Sequence, residues 1–369
     1  MLSFEHLSKT YADGTRALSD INLTVHEGEI VSLIGGSGCG KTTLLRLIAG
    51  LDRESAGRIR LDGEMLSGPH PAVGIVFQEP RLLPWLSVFD NIAFGLRTRR
   101  IGTVEVRRRV MQMLERLAIP HLKDAFPIRL SAGQRQRVAM GRTLIVEPRV
   151  MLMDEPLGAL DVQLRAHVRS ELKSLLLEYD IPAIVVTHDP MDAIGLGSTV
   201  VVMEHGRVIQ SGTYETLLSR PATRFVAEFV EVNAYSGRVV VVDANGDALL
   251  RLDGGIEIAA TLDEPVDKVL VVIHPWDLML SRVPDAGSLR NVLKCRVANI
   301  STLRDRVRVM VNTPIRMTAE ISRPSLDALR LSEGEEIFIA FKSTAVRVLP
   351  NGSSDQERGS NGLPAQLGG

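Results

Sequence analysis

The sequence contains little cysteine and almost no net charge. Its 369 residues include two cysteines, and 43 Lys and Arg side chains nearly balance 44 Asp and Glu side chains. One possible cysteine pair in a chain of this length supplies no disulfide framework, which favours a reducing compartment. A net charge of −1 creates no overall field that would attract nucleic acid or anionic lipid. We therefore predict no nucleic-acid partner.

Long apolar runs are also missing. Runs such as residues 269–273 are far shorter than the roughly 20 residues that span a bilayer. The first twenty residues lack a basic segment followed by an apolar run, so we predict no signal peptide. If the protein acts at a membrane, we expect it to dock onto a separate membrane protein.

Two patterns divide the chain. Up to about residue 232, short β-rich runs alternate with helical patterns, which is typical of an α/β domain. Within it, parallel-type buried strands are predicted at residues 29–34, 150–153 and 183–186, helices at 41–49 and 163–179, and a hairpin at 199–210.

The second pattern begins near residue 235. From 235 to 349, short Val- and Ile-rich runs alternate with turn signals, which predicts a separate all-β domain of small-barrel type. Residues 350–369 are rich in Gly, Ser, Asn and Gln, so we predict a disordered tail. The predicted organisation is therefore an α/β domain at 1–232, a β-domain at 235–349 and a tail.

A glycine-rich loop follows the first predicted buried strand. Residues 35–42 read Gly-Gly-Ser-Gly-Cys-Gly-Lys-Thr and match G-x-x-x-x-G-K-[ST] between a strand and a helix. The glycines let the backbone N–H groups turn toward phosphate oxygens, and the helix N-terminus adds partial positive charge. Lys41 can reach the β- and γ-phosphates, and the Thr42 hydroxyl can ligate Mg²⁺. The loop predicts nucleotide binding, a property shared by kinases, GTPases and many motors.

Two adjacent carboxylates end another apolar run. Asp154 follows residues 150–153 and is placed to hold Mg²⁺ through water. Glu155, one residue further, would lie near the γ-phosphate and could polarise an attacking water as a general base. Because Asp-Glu pairs at strand ends are common, the other motifs must decide the function.

The segment 130–134, Leu-Ser-Ala-Gly-Gln, resembles the Leu-Ser-Gly-Gly-Gln signature of ABC ATPases, the nucleotide-binding subunits of ABC transporters. Ser131 and the N–H groups near Gly133 form a helix N-terminus able to hold an anion. The resemblance implies that Ser131, Ala132, Gly133 and Gln134 complete the ATP site of a second, identical subunit. Ala132 replaces the first glycine of the pattern, and we expect function to survive because the contacts there are mainly to backbone and serine.

Further elements of this family follow in the right order, and the resemblance covers residues 1 to about 230. Tyr11 matches the aromatic residue that stacks on adenine. Gln78 matches the glutamine that senses Mg²⁺ and the γ-phosphate. Asp161, in Gly158-Ala159-Leu160-Asp161, matches the loop that communicates across the dimer, and His188 matches the histidine that contacts the γ-phosphate.

The resemblance implies a set of site residues. ATP would be held by Tyr11, Gly35, Gly36, Ser37, Gly38, Cys39, Gly40, Lys41, Thr42 and Thr43. Hydrolysis would involve Glu155, His188 and Gln78, with Mg²⁺ held by Thr42, Gln78 and Asp154. The fold implied is a P-loop nucleotide-binding domain of the RecA-like type, with a helical subdomain at about 79–146.

The resemblance also implies partners and a place in the cell. ATP-driven closure of a homodimer would drive solute uptake through integral membrane permease subunits, supplied by an extracytoplasmic solute-binding protein. The subunit would sit peripherally on the cytoplasmic face of the inner membrane.

The β-domain resembles the OB-like accessory domains of importer ATPases. Residues 273–277, Ile-His-Pro-Trp-Asp, look like their Ile-Arg-Pro-Glu-Asp element with two replacements. Residues 289–346 look most like the small barrels of molybdate and tungstate importers, which favours oxyanion import. For the β-domain itself, a dimerisation or spacer role without a ligand is slightly favoured over oxyanion binding. Residues 83–86, Leu-Pro-Trp-Leu, are similar to a segment found in the ATPases of nitrate, sulfonate and taurine importers. The ATPases of sulfate, ferric iron, phosphonate and polyamine importers share the overall domain architecture.

Three other classes of ATPase fit the sequence less well. Soluble ABC ATPases of DNA repair or translation usually carry coiled-coil insertions or two ATPase modules, which are not found in this sequence. P-loop kinases and GTPases lack the 130–134 signature and the histidine. Exporter ATPases are disfavoured by the accessory β-domain.

Overall fold

The computed structural model describes residues 1–99, 101–158, 160–262, 267–284, 289–303 and 306–350. The chain divides into two compact units, Met1–Leu217 and Leu218–Gly369. The division falls inside a short helix, Tyr214–Ser219, ahead of the 232–235 boundary that the sequence suggested. The predicted domain limits stay a prediction.

The first unit contains two sheets and a set of helices. Its strands are β1 (Leu2–Thr10), β2 (Arg16–Val25), β3 (Ile30–Gly35), β4 (Ala56–Leu61), β5 (Glu64–Met65), β6 (Val73–Val76), β7 (Val150–Asp154), β8 (Ala183–Val186), β9 (Thr199–Glu204) and β10 (Arg207–Gly212). Its helices are α1 (Lys41–Ile48), α2 (Val88–Thr98), α3 (Thr103–Arg116), α4 (Ala132–Leu144), α5 (Val162–Tyr179) and α6 (Pro190–Leu196), and α7 (Tyr214–Ser219) contains the division.

The larger sheet has the strand order β10-β9-β3-β8-β7-β6 and is parallel except for β10. Every residue of β8 is buried, because helices or a second sheet cover both faces. The carboxyl ends of β3, β7 and β8 lie side by side at one edge. The loops that leave this edge carry the predicted site residues, as expected for ligand sites in open α/β sheets.

The strands and helices predicted in this unit are confirmed, with ends that differ by one residue at most, apart from the hairpin's final strand, which extends to Gly212. The hairpin is confirmed as the antiparallel pair β9 and β10. Its turn residues, His205 and Gly206, have φ values of +48° and +75°. Two consecutive positive φ values are typical of the tight turns that match strand twist.

The parallel sheet separates two hydrophobic cores. On one face, the antiparallel sheet β2-β1-β4-β5 and helix α1 pack through side chains such as Leu18 and Leu44. On the other, helices α2 to α5 pack through side chains such as Ile92 and Leu172. Helices α2, α3 and α4 lie within the segment 79–146 for which the sequence predicts a helical subdomain.

Asn91 anchors the loop that precedes α2. Its fully buried amide oxygen accepts from the Leu83 N–H at 2.9 Å, and the two N–H hydrogens are shared among the carbonyls of Leu83, Leu86 and Ser87 at 3.0 to 3.1 Å. A buried amide with its bonds satisfied holds a loop in one conformation. The loop therefore presents Trp85, which is 70% exposed, from a fixed backbone.

The second unit is built mainly from strands. They are β11 (Asn233–Val242), β12 (Asp247–Leu252), β13 (Glu257–Thr261), β14 (Lys268–Ile273), β15 (Met279–Ser281), β16 (Asn291–Leu303), β17 (Arg306–Asn312), β18 (Arg316–Ser322), β19 (Glu336–Phe341) and β20 (Arg347–Pro350). Two short helices, α8 (Arg224–Phe229) and α9 (Arg323–Leu329), accompany them.

These strands form two five-stranded antiparallel sheets, β13-β12-β11-β14-β20 and β15-β19-β16-β17-β18. Alternate residues of both sheets, including Leu250, Val271 and Val309, bury into one shared core. The all-β prediction for this part of the chain is confirmed. Pro350, assigned to the tail from sequence, instead ends edge strand β20 opposite Val269, and residues 351–369 lie outside the described part.

Candidate nucleotide site

The phosphate loop joins β3 to α1 as predicted. Gly38 and Gly40 have φ values of +77° and +106°, a region that favours glycine. A Cβ at position 40 would lie 2.6 Å from the Ala17 carbonyl oxygen, so this position has no room for a side chain. Gly40 is also the N-cap of α1 and provides no capping side chain. The first N–H groups of α1 are thus available to an anion.

Lys41 lies across this loop. Its Nζ donates to the carbonyls of Gly35 at 2.8 Å and Gly36 at 3.0 Å, and lies 3.6 Å from Cys39 Sγ. Among the described residues, no carboxylate forms an ion pair with this ammonium group, although its charge acts to lower the pKa of Asp154. The loop therefore combines one full positive charge with a helix N-terminus, the combination that phosphate binding needs.

Tyr11 and Thr43 approach each other beside the loop. The Tyr11 hydroxyl lies 3.3 Å from Thr43 Oγ1, and the Lys9 ammonium lies 4.9 Å from the centre of the Tyr11 ring. The aromatic ring is partly exposed. The structure thus brings the predicted adenine-stacking residue to the start of the helix that carries Lys41.

Asp154 is a half-buried carboxyl at the end of β7. Burial raises its pKa, the negative charge of Glu155 raises it further, and Lys41 acts in the opposite direction. Val76 of β6 pairs with Met153 of β7, so Gln78 leaves the sheet at the same edge. A cation at this edge would offset the two carboxylate charges.

The donor set at this edge fits Mg²⁺. A hydroxyl from Thr42, an amide oxygen from Gln78 and the Asp154 carboxylate are hard oxygen ligands of the kind that Mg²⁺ takes alongside water and phosphate. Across the described ranges, no three His, Cys, Asp or Glu side chains form a metal-binding group.

Glu155 and His188 form a close pair. Glu155 Oε2 lies 2.6 Å from His188 Nδ1. The two residues follow the adjacent strands β7 and β8, and the Glu155 N–H donates to the Val186 carbonyl at 2.9 Å. Glu155 has a φ of +47°, which costs on the order of 1 kcal/mol or more for a residue with a Cβ. Strained backbone of this kind is concentrated at functional sites.

The signature segment begins α4. Ser131 Oγ accepts from the Gln134 N–H at 3.3 Å, and Gln134 Oε1 accepts from the Ser131 N–H at 2.9 Å. This capping box was not anticipated, and it assigns the Gln134 side chain to its own helix. Ser131 is exposed, while Gly133 is buried where a Cβ would meet Leu164 at 2.8 Å. Helix packing therefore explains Gly133.

The predicted communication loop leads into α5. Asp161 is the N-cap of this helix, and its carboxylate accepts from the Leu164 N–H at 2.9 Å. Ala159, in the same motif, lies outside the described residues. The role of Asp161 across a dimer stays a prediction.

Sequence reasoning missed the side chains that fix these loops. Arg142 of α4 donates to the carbonyls of Pro80 and Arg81 at 3.0 and 2.9 Å, and burial lowers its pKa. Arg81 has a φ of +45°, and its guanidinium lies 4.5 Å from the Phe77 ring centre. The loop after Gln78 is thereby held from a helix some sixty residues later. No local pattern in the sequence indicates such contacts.

Along the described ranges, no helix combines the length and apolar character that crossing a membrane requires.

Comparison with known families gives two matches. Residues 18–158 match the ABC transporter family, and residues 287–348 match the TOBE domain. The first match spans the phosphate loop, the signature segment and the Asp154-Glu155 pair.

Several curated relatives resemble most of the chain. A sulfate/thiosulfate import ATP-binding protein of Photorhabdus laumondii is 42% identical over 78% of this chain and 80% of its own. A molybdate/tungstate import ATP-binding protein of Pyrococcus horikoshii is 39% identical over 95% of this chain and 100% of its own length. A spermidine/putrescine import ATP-binding protein of Thermobifida fusca is 37% identical over 95% of this chain and 93% of its own length.

Solved structures resemble more than half of the chain. The cbiO1 protein of Clostridium perfringens, part of an ABC transporter complex, gives a TM-score of 0.56 at 34% identity, over 62% of this chain and 94% of that one. The dimeric ATP-binding cassette MJ0796, bound to ADP and Pi after hydrolysis, gives a TM-score of 0.52 at 30% identity, over 58% of this chain and 98% of that one. From its motifs, fold and relatives, this chain belongs to the ABC transporter family, as an importer-type ATP-binding subunit with a C-terminal TOBE domain.

Proposed function

We propose that this ATPase works as a homodimer in which each ATP lies between the phosphate loop of one copy and the 130–134 segment of the other. The observation that carries the proposal is the exposed Ser131 at the N-terminus of α4, which is open to the nucleotide of a second copy. The 2.6 Å contact between Glu155 and His188, at the sheet edge where the phosphate loop also begins, supports hydrolysis at this site. The dimeric state of the similar cassette MJ0796 supports the two-copy arrangement.

Each side chain has a distinct role in the proposed hydrolysis. Lys41 and the N-terminus of α1 neutralise and hold the phosphates. Glu155 accepts a proton from the water whose oxygen attacks the γ-phosphorus, while the bond to the β-phosphate oxygen breaks and ADP leaves. His188 orients the Glu155 carboxylate through Nδ1, and its exposed ring is available to the γ-phosphate. The reaction yields ADP and inorganic phosphate.

Magnesium would be held by Thr42, Gln78 and, through water, Asp154. When bound, the ion would neutralise negative charge on the β- and γ-phosphate oxygens. The raised pKa of Asp154 supports this assignment, because burial and Glu155 make an uncompensated carboxylate costly there.

Asp154→Asn is expected to raise the Mg²⁺ concentration for half-maximal hydrolysis by about 10- to 100-fold, the usual cost of losing an outer-sphere carboxylate. The measurement is phosphate release against Mg²⁺ at saturating ATP. Asp192→Asn is the matched control, because burial also raises the pKa of Asp192, which pairs with Arg169 away from the loop. An unchanged Mg²⁺ requirement in Asp154→Asn would remove this residue from the metal site.

The first unit exposes apolar side chains suited to a protein partner. Trp85, Phe94, Phe126 and Ile128 are 70%, 48%, 44% and 91% exposed. Exposed aromatic and large aliphatic side chains are typical of interaction surfaces. We infer that permease subunits dock on this part of the chain at the cytoplasmic face of the inner membrane, and that a solute-binding protein delivers cargo to the permease.

The cargo we propose is a tetrahedral oxyanion such as molybdate. Relatives named for sulfate/thiosulfate and molybdate/tungstate import, at 42% and 39% identity, support it. Polyamine is the second candidate, because a spermidine/putrescine relative is 37% identical over 95% of the chain. The sequence offers nitrate, sulfonate, ferric iron and phosphonate as further alternatives. The import relatives disfavour a non-transport ATPase.

Equilibrium dialysis of the full chain tests whether the accessory domain binds such an anion. We expect retention of molybdate or tungstate and none of spermidine. Because a phosphate loop can hold oxyanions, the matched variant is Lys41→Ala: retention that survives this substitution lies outside the loop. If Lys41→Ala abolishes all retention, or spermidine alone is retained, the oxyanion assignment loses its support.

A further inference from the structure

Arg165 joins two loops of the nucleotide site. It lies in the first turn of α5, with about one-fifth of its side chain exposed. One terminal nitrogen donates to Asp189 Oδ2 at 2.7 Å, and the other donates to the Leu160 carbonyl at 3.2 Å. A single planar guanidinium therefore connects the loop that follows Glu155 with the loop that follows His188.

Both connections lead back to the reacting side chains over short, hydrogen-bonded segments. The Gly158 N–H donates to the Glu155 carbonyl, and the Leu160 N–H donates to the Leu157 carbonyl, each at 3.1 Å. These two bonds tie Gly158 to Glu155 and Leu160 to Leu157. A displacement of Leu160 is accordingly passed to Glu155.

The second connection is equally well defined. The Asp189 carboxylate caps α6 by accepting from the N–H groups of Met191 and Asp192 at 2.8 and 3.2 Å. The Asp189 N–H donates to Thr187 Oγ1 at 3.1 Å. His188 lies between these two fixed residues, so its ring position depends on the placement of Asp189.

The remaining guanidinium nitrogen gives an independent sign of constraint. Arg165 Nε is buried and has no hydrogen-bond partner among the described residues. Buried donors are normally satisfied. Here the side chain places both terminal nitrogens on their acceptors and leaves the third donor unpaired.

We propose that Arg165 is a positioning residue that holds Glu155 and His188 at their hydrolytic separation. The inference rests on the proposed roles of those two residues. Arg165 acts through Leu160 and Asp189, its hydrogen-bond acceptors, and is not itself a catalytic residue. It also couples the communication loop at 158–161 to the histidine, so that both loops move as one body.

The chain contains a matched control one turn along the same helices. Arg169 of α5 donates to Asp192 of α6 at 2.8 Å, and its side chain is as buried as that of Arg165. This pair fastens the same two helices, but among the described residues the Arg169 guanidinium bonds to neither Leu160 nor Asp189. If helix packing alone mattered, substitution of either arginine would slow hydrolysis equally. If Arg165 positions the two loops, only its substitution would slow hydrolysis strongly.

The experiment compares Arg165→Ala, Arg165→Lys and Arg169→Ala in the full chain. Arg165→Ala is expected to lower kcat for ATP hydrolysis by about tenfold to a hundredfold, with the Kd for a fluorescent ATP analogue changed less than about threefold. Arg165→Lys should recover part of kcat, because an ammonium reaches one of the two acceptors. Arg169→Ala should keep kcat within about threefold despite a lower Tm.

Three further results test the inference. In a Glu155→Gln background, Arg165→Ala should cause no additional loss, because the group being positioned is gone. Equal reductions in kcat for Arg165→Ala and Arg169→Ala would overturn the inference and leave the proposed function intact. Full activity of Glu155→Gln would overturn the proposed function and the inference together. If Arg165→Ala fails to fold, Arg165→Lys and Asp189→Asn provide the same comparison.

Discussion

Glu155→Gln is expected to lower the steady-state rate of ATP hydrolysis by about 10²- to 10⁴-fold, the range typical of a lost general base. Glutamine keeps the size and hydrogen-bonding ability of the side chain but cannot accept the proton of the attacking water. ATP binding should be retained, because Lys41 and the phosphate-loop glycines are unchanged. Retained binding without turnover should favour an ATP-bound dimer.

The measurements are phosphate release, binding of a fluorescent ATP analogue and size-exclusion chromatography with and without ATP. Glu171→Gln is the matched control, because Glu171 also pairs with a histidine, His167, at 3.0 Å, and with Arg137 at 2.8 Å. Its activity should stay within about twofold of the parent chain, as for most surface ion pairs. Undiminished hydrolysis by Glu155→Gln would show that another group takes the proton.

Ser131→Arg is expected to reduce hydrolysis by about a hundredfold or more while an isolated subunit still binds ATP. Ser131 is exposed at the N-terminus of α4, where its side chain belongs to a capping box. Arginine removes that cap, adds positive charge at the positive end of the helix and adds bulk where the partner's γ-phosphate is proposed to lie. The effect falls on the site of the other copy.

Mixing two inactive variants tests this trans arrangement. Lys41→Ala disables the phosphate loop of its own copy, and Ser131→Arg disables the cap that it offers to the partner. A mixed dimer keeps one complete site, so mixing should restore hydrolysis well above that of either variant alone. Ser322→Arg, at another exposed serine N-cap, is the control and should be active. No recovery on mixing, or loss of ATP binding by Ser131→Arg alone, would contradict a role in trans.

The phosphate loop was predictable because its chemistry is contiguous. Eight consecutive residues determine a backbone shape, a helix start and one cation, and the structure places them between β3 and α1. Strand β8 was equally predictable, because a strand that is buried on both faces is apolar throughout. The hairpin of β9 and β10 was indicated by its turn residues.

Contacts between distant segments were beyond sequence reasoning. Glu155 and His188 were each identified through family resemblance, but their 2.6 Å pairing requires β7 and β8 to be neighbours in the sheet. The bridging by Arg165 depends on how α5 and α6 lie against that edge. The periodicity of a helical sequence does not indicate which distant groups will accept hydrogen bonds from an arginine side chain.

By itself, the sequence determined a P-loop α/β unit followed by a β-rich unit, because backbone conformation and burial periodicity are local properties. It also determined which carboxylates and hydroxyls end the strands. The tertiary structure alone decided which of those side chains meet, and where the compact units divide. Hydrogen bonds act over about 3 Å, so strand order and helix packing must exist before such pairs can form.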